Sequence, residues 1–173
     1  MRETVLGQRF IFHRLNSLPR PPIRTEIVSG FAAAGEMIAL VGPPGTGKSA
    51  IGVLLASSVA AGTPFLGRTV RRGTVVYVAA ERRIEAERRL LAGGDSELPI
   101  YVSGARPALA NADDVDDLIN GLAAIESAAE SPIRLVIFDT AAKCFRGLDE
   151  NSARDVGMAV EGLTRIGEAV PTA

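Results

Sequence analysis

Short apolar runs alternate along this chain with longer stretches in which apolar residues recur every three or four positions. Met37-Ile38-Ala39-Leu40-Val41, Val75-Val76-Tyr77-Val78-Ala79, Pro99–Val102 and Leu135–Phe138 are the short runs. Continuous apolar runs of this length predict strands buried on both faces. Helical spacing covers Lys48 to about Ala61, Arg83–Leu91, Asp113–Glu130 and Ser152–Glu168. In the third of these, Val115, Leu118, Ile119, Leu122 and Ile125 form one apolar stripe. Strands alternating with helices predict an α/β fold of three layers, with helices on both faces of a mainly parallel sheet. Ligands of such sheets sit outside the carboxyl ends of the strands.

The first thirty residues break the pattern. Val5–Phe12 reads as a strand, but Pro19, Pro21 and Pro22 follow. Proline lacks a backbone N–H and fixes φ, so no central strand or helix is expected there. The chain divides into an irregular segment, 1–30, and a regular domain, 31–173. Its 173 residues suit one domain. An apolar content of 47% and a net charge of −1 argue against disorder, and against any bulk attraction to nucleic acid or membrane. A single cysteine, Cys144, excludes an internal disulfide and reads as a small buried residue rather than a reactive thiol. A single histidine, His13, gives no basis for a zinc site. The uncharged run Ser49–Leu66 has the length of a membrane span, but Gly52, Ser57, Ser58, Gly62, Thr63 and Pro64 interrupt it. It predicts a buried helix and a turn. With no signal-peptide pattern at Met1, the expected location is the cytoplasm, with no membrane partner.

Candidate chemistry lies where the strands end. After the first run stands Gly42-Pro43-Pro44-Gly45-Thr46-Gly47-Lys48-Ser49, with Ala50 next in the helix that follows. This is the G-x-x-x-x-G-K-[ST] phosphate loop, and it joins a strand to a helix as its mechanism requires. Glycines let the backbone wrap around phosphate oxygens, and N–H groups at a helix start point at the anion. Lys48 reaches the β- and γ-phosphates, and the Ser49 hydroxyl ligates Mg²⁺. Cations elsewhere are almost all arginine; the two lysines are Lys48 and Lys143.

The last strand ends in Asp139. That carboxylate either holds Mg²⁺ or caps the following turn. The second strand leads to Glu81, which either orients and deprotonates an attacking water or stabilises the start of the next helix. Arg68, Arg71, Arg72, Arg82, Arg83, Arg88 and Arg89 form a basic group with Glu81, Glu85 and Glu87 interleaved. The acids cancel most of its field, so a solvated, ion-paired face is the first reading and a nucleic-acid contact the second.

Taken together, three stretches resemble the RecA-like ATPase family of the plasmid replicative helicase RepA. They are Gly42–Ser49; Gly62–Gly67 leading through Arg72-Gly73-Thr74 to Glu81; and Phe138–Phe145 followed by Asp149–Ser152. The resemblance runs from about Pro22 to Val170. It implies a RecA-like P-loop fold that binds ATP with Mg²⁺, uses Glu81 as general base and Asp139 for the metal, and assembles head to tail into rings. A setting in DNA replication or mobile-element maintenance is implied as well. Two departures stand out. Family members follow the glutamate with a small or acidic residue, where this chain has Arg82-Arg83. They also continue into a sensor strand and a trans-acting arginine, whereas this sequence stops at Ala173; Arg146 and Arg154 match no family position. The expected fold therefore lacks the C-terminal core strands. In the family the sensor strand lies between the phosphate-loop strand and the Asp139 strand. Either those two strands pair directly, or another segment such as Val5–Phe12 or a strand from another chain fills the slot. A module that binds nucleotide without cleaving it is the alternative function.

Overall fold

A computed structural model describes residues 4–6, 11–20, 23–93, 95–148 and 152–170. Of the motif residues named above, Asp149–Asn151 lie outside the described residues, as do Pro21 and Pro22. Two antiparallel pairs open the fold, β1 (Thr4–Leu6) with β2 (Ile11–His13) and β3 (Glu26–Val28) with β4 (Ala32–Ala33). Then come α1 (Lys48–Ala61), β5 (Thr74–Val78), α2 (Arg83–Ala92), β6 (Ile100–Ser103), α3 (Ala112–Ala128), β7 (Ile133–Phe138) and α4 (Ala153–Ala169).

The main sheet is parallel, with β5 between β6 and β7. Every residue of β5 is buried, as its unbroken apolar run predicts. Alternation along β5 sorts two cores. Val75, Tyr77 and Ala79 pack with Ala56, Val59 and Ala60 of α1, Ala86 of α2, and Ile27, Val28 and Ala32 of the β3–β4 pair. Val76, Val78 and Ala80 pack with Val115 and Leu122 of α3 and Ala159 and Ile166 of α4. The result is the expected α/β sandwich of helices around a parallel sheet. Three of the four helices begin or end on recognisable caps. The Asn111 side chain accepts from Asp114 N–H at 3.0 Å, and Ser152 accepts from Asp155 N–H at 3.4 Å. Gly62 closes α1 in the left-handed region, its N–H bonded to Ser58 O at 2.8 Å.

Three expectations need correction. Residues 37–41 are not in any strand, and their side chains are open to solvent, Val41 at 89%. An apolar run becomes a strand only when a neighbour takes its backbone hydrogen bonds. Among the described residues none does. Direct pairing of this run with β7 does not occur, and no described segment occupies the second edge of β7. Val5–Phe12 does not fill that slot either. Its described residues belong to a hairpin, β1 with β2, while residues 7–10 lie outside the description. Finally, α1 is only half a buried helix. Its C-terminal half supplies the core, while Ile51 and Leu54 near its start are exposed. With residues 37–41 outside the sheet, the start of α1 has less to pack against.

Candidate functional site

The residues from Gly42 to Gly47 form a loop, and Lys48 and Ser49 open α1 directly after it. Gly45 and Gly47 take φ of 81° and 86°. An added Cβ would meet nothing within 4 Å at either one, so backbone conformation rather than crowding demands glycine there. Pro43, Pro44 and Thr46 are exposed, and the Thr46 hydroxyl donates to Pro43 O at 2.9 Å. Lys48 folds back across the loop. Its Nζ donates to the carbonyls of Gly42 and Pro43 at 2.6 and 2.8 Å. The ammonium is thus held over the loop by short bonds while the helix start behind it presents free N–H groups. Ala50 continues α1 and is exposed.

The structure joins this loop to the end of the last strand. Ser49 Oγ donates to Asp139 Oδ1 at 3.0 Å, across 90 residues of sequence. Tyr77 OH donates to the other carboxylate oxygen at 2.7 Å. Burial, and the carboxylate it donates to, push the Tyr77 phenol above its ordinary value, so the hydroxyl stays protonated and remains a donor. Two hydroxyl donors hold Asp139 as an acceptor, one from α1 and one from β5. The backbone adds a third link: Asp139 N–H donates to Val78 O at 2.9 Å, and Glu81 N–H donates to Asp139 O at 3.1 Å. Glu81 is half-buried, and its carboxylate makes no hydrogen bond or ion pair among the described residues.

Ser49 and Asp139 therefore meet at the carboxyl edge of the sheet, with Lys48 one residue before Ser49 and Glu81 tied to Asp139 by its backbone N–H alone. Two oxygens 3.0 Å apart match adjacent vertices of a magnesium octahedron, which stand about 2.9 Å apart at a 2.0–2.1 Å bond length. A hydroxyl and a carboxylate are the hard donors that ion takes. Among the described residues there is no cluster of three or more His, Cys, Asp or Glu side chains able to hold a metal. A cation between Ser49 and Asp139 would complete its shell with water and phosphate oxygens, as Mg²⁺ commonly does.

Tyr77 was not among the residues that the sequence reading picked out. One signal was available: a tyrosine inside an aliphatic strand carries a hydroxyl that needs a buried partner. Nothing local identifies that partner, which lies 62 residues downstream. The basic group, by contrast, is largely occupied within the fold. Arg83 pairs with Glu87 at 2.6 Å and Arg89 with Glu85 at 3.0 Å, while Arg68 and Arg72 donate to the carbonyls of Ser29 and Ala60. Cys144 is fully buried, and burial pushes its thiol up to about 11. A depression of about 520 Å³ between the loops after β6 and β7, lined by Asn111, Asp114 and Arg146, contains none of the phosphate-loop residues.

No helix among the described residues is long and apolar enough to cross a membrane. Comparison with curated proteins and with solved structures finds no match. A family model of the AAA domain matches residues 4–171. With that match spanning nearly the whole chain and the phosphate loop built as described, the chain belongs to the AAA domain family.

Proposed function

We propose that this chain binds Mg-ATP at Gly42–Ser49 and hydrolyses it as a RecA-like ATPase. The observation that carries the reading is the Ser49–Asp139 hydrogen bond. It brings Ser49 of the phosphate loop within 3.0 Å of Asp139, which supports the reading that the two share a metal ion. Membership of the AAA domain family supports nucleotide binding and ATPase activity.

The roles follow from position. Loop N–H groups and the α1 start hold phosphate oxygens. Lys48 exchanges its bonds to Gly42 O and Pro43 O for the β- and γ-phosphates. Ser49 and Asp139 would hold Mg²⁺, which would supply neutralisation of the charge that develops on the phosphates. Tyr77 keeps Asp139 oriented. Glu81, tied through its N–H to Asp139 and free at its carboxylate, orients the attacking water and takes its proton. Water adds to the γ-phosphorus, the bond to the β–γ bridging oxygen breaks, and ADP and phosphate leave. In Glu81→Gln the shape is kept and the base removed. ATP binding is expected to persist while phosphate release falls about a hundredfold or more. A variant that releases phosphate at the parent rate returns Glu81 to a helix-start role.

A second reading has its own observation. The second edge of β7 has no partner among the described residues, and Met37, Ile38, Leu40, Val41, Ile51 and Leu54 are exposed. Exposed apolar side chains and an open strand edge are both features of contact surfaces. It supports a nucleotide-binding module that works by assembly, with slow turnover or none in the isolated chain. Self-association, in a ring or head to tail, is part of both readings. Sedimentation is expected to show concentration-dependent oligomers, and a monomer throughout contradicts it. Phosphate release with and without single-stranded DNA separates turnover from assembly alone. It also tests the proposed link to DNA replication or mobile-element maintenance, which rests on the resemblance to the RepA family.

A further inference from the structure

The first 23 residues stand apart from the body of the fold. Among the described residues, neither core draws on any side chain before Ile27. The β1–β2 pair is a sheet of its own and joins neither of the other two. Phe12, Leu15, Leu18 and Ile23 are exposed, Leu15 at 86% and Ile23 at 95%. Arg24 ends this arm. Its guanidinium donates to Glu36 at 2.7 and 2.6 Å and to Glu26 at 2.8 Å, which fixes the chain where the body begins. Several large apolar side chains left in water on one short segment are a feature of contact surfaces.

Charge indicates the partner. Residues 1–23 contain four arginines and one glutamate, a net charge of +3. Residues 24–173 contain fifteen basic and nineteen acidic side chains, a net charge of −4. That body also leaves Met37, Ile38, Leu40 and Val41 exposed, together with Ile51 and Leu54 of α1. A second copy of this chain therefore presents to the arm both an uncovered apolar surface and a body of opposite charge. A nucleic acid or an anionic membrane matches only the charge of the arm, and it repels the body that carries the arm.

We propose that the first 23 residues of one copy dock on a neighbouring copy, with Phe12, Leu15, Leu18 and Ile23 covering the neighbour's residues 37–41 and the exposed side of its α1 start. The inference rests on the self-association reading above and names the segment that carries it. Arm and receiving face are different surfaces, so the contact is heterologous and each copy gives one and takes one. Opposite charges steer the encounter, and burial of the apolar side chains holds it. The receiving face runs directly into the loop from Gly42 to Gly47, so a seated arm lies next to the phosphate loop of the neighbour.

The test uses the full chain in two double variants, an arm variant with Leu15→Ser and Ile23→Ser and a face variant with Val41→Ser and Leu54→Ser. Sedimentation velocity follows association, and thermal unfolding checks each fold. The arm positions lie outside both cores, so the arm variant is expected to unfold at the parent temperature. Each variant alone should associate about a hundredfold more weakly than the parent, or less still. An equimolar mixture should form a dimer and stop there. The arm variant keeps an intact face, the face variant keeps an intact arm, and the remaining arm and face are the damaged ones. Raised salt should weaken the association of the parent. Parent-like association of the arm variant overturns the role of the arm while self-association stands, and so does a mixture of two folded variants that stays monomeric. Association that salt leaves unchanged contradicts the charge match that assigns the partner. A parent that is monomeric at every concentration overturns self-association and the role of the arm together. A Mg-ATP titration of the same parent judges nucleotide binding separately.

Discussion

Tyr77 and Asp139 show how one buried hydroxyl ties a core to a site. The tyrosine ring sits in the core between β5 and α1, while its hydroxyl reaches the carboxylate at the strand end. Removing the hydroxyl while keeping the ring leaves Asp139 Oδ2 without that donor. Tyr77→Phe is expected to cost about 1–3 kcal/mol of stability, the range for an orphaned polar group. Because Asp139 also bonds Ser49, nucleotide affinity should fall together with the melting temperature. Thermal unfolding and a nucleotide titration on the same variant check both. A variant as stable as the parent would mean that another donor, such as water, replaces the phenol.

At the scale of elements, α4 offers two opposite tests. A Cβ on Gly162 would overlap the carbonyl of Leu109, the loop that α4 packs against. Gly162→Ala must push the helix off that loop, and is expected to destabilise by about 1–3 kcal/mol, as overpacking does. Gly157, on the same helix, has nothing within 4 Å of an added Cβ. There the gain in helix propensity wins, and Gly157→Ala should stabilise by about 0.5–1 kcal/mol. Denaturant melts of the pair give the two signs; the same sign for both contradicts this account of α4 packing. Elements of this kind were legible in the sequence. The helices follow from apolar spacing, β5, β6 and β7 from unbroken apolar runs, and the 42–49 loop from a contiguous motif whose physics is local. What the sequence did not disclose depends on partners far along the chain. Residues 37–41 have the composition of a strand, yet composition cannot supply the neighbour that a strand needs. The Tyr77–Asp139 bond is likewise set by tertiary context, which no local pattern reports.

The whole molecule places its chemistry at one edge. Two cores, one on each face of the sheet, fix β5, β7 and α1 against each other. Their ends carry Tyr77, Asp139 and Ser49 into hydrogen-bond contact, with Lys48 at the start of α1 reaching back over the loop. Stability is thus concentrated below the site, while the loop, the second edge of β7 and residues 37–41 are uncovered among the described residues. The central claim is that this edge binds the phosphates of Mg-ATP through Gly42–Ser49. Calorimetric titration of Mg-ATP into the parent chain and into Lys48→Ala tests it most directly. The account predicts saturable binding by the parent and a loss of about tenfold or more when the ammonium is removed. Equal affinity in the two proteins would contradict it.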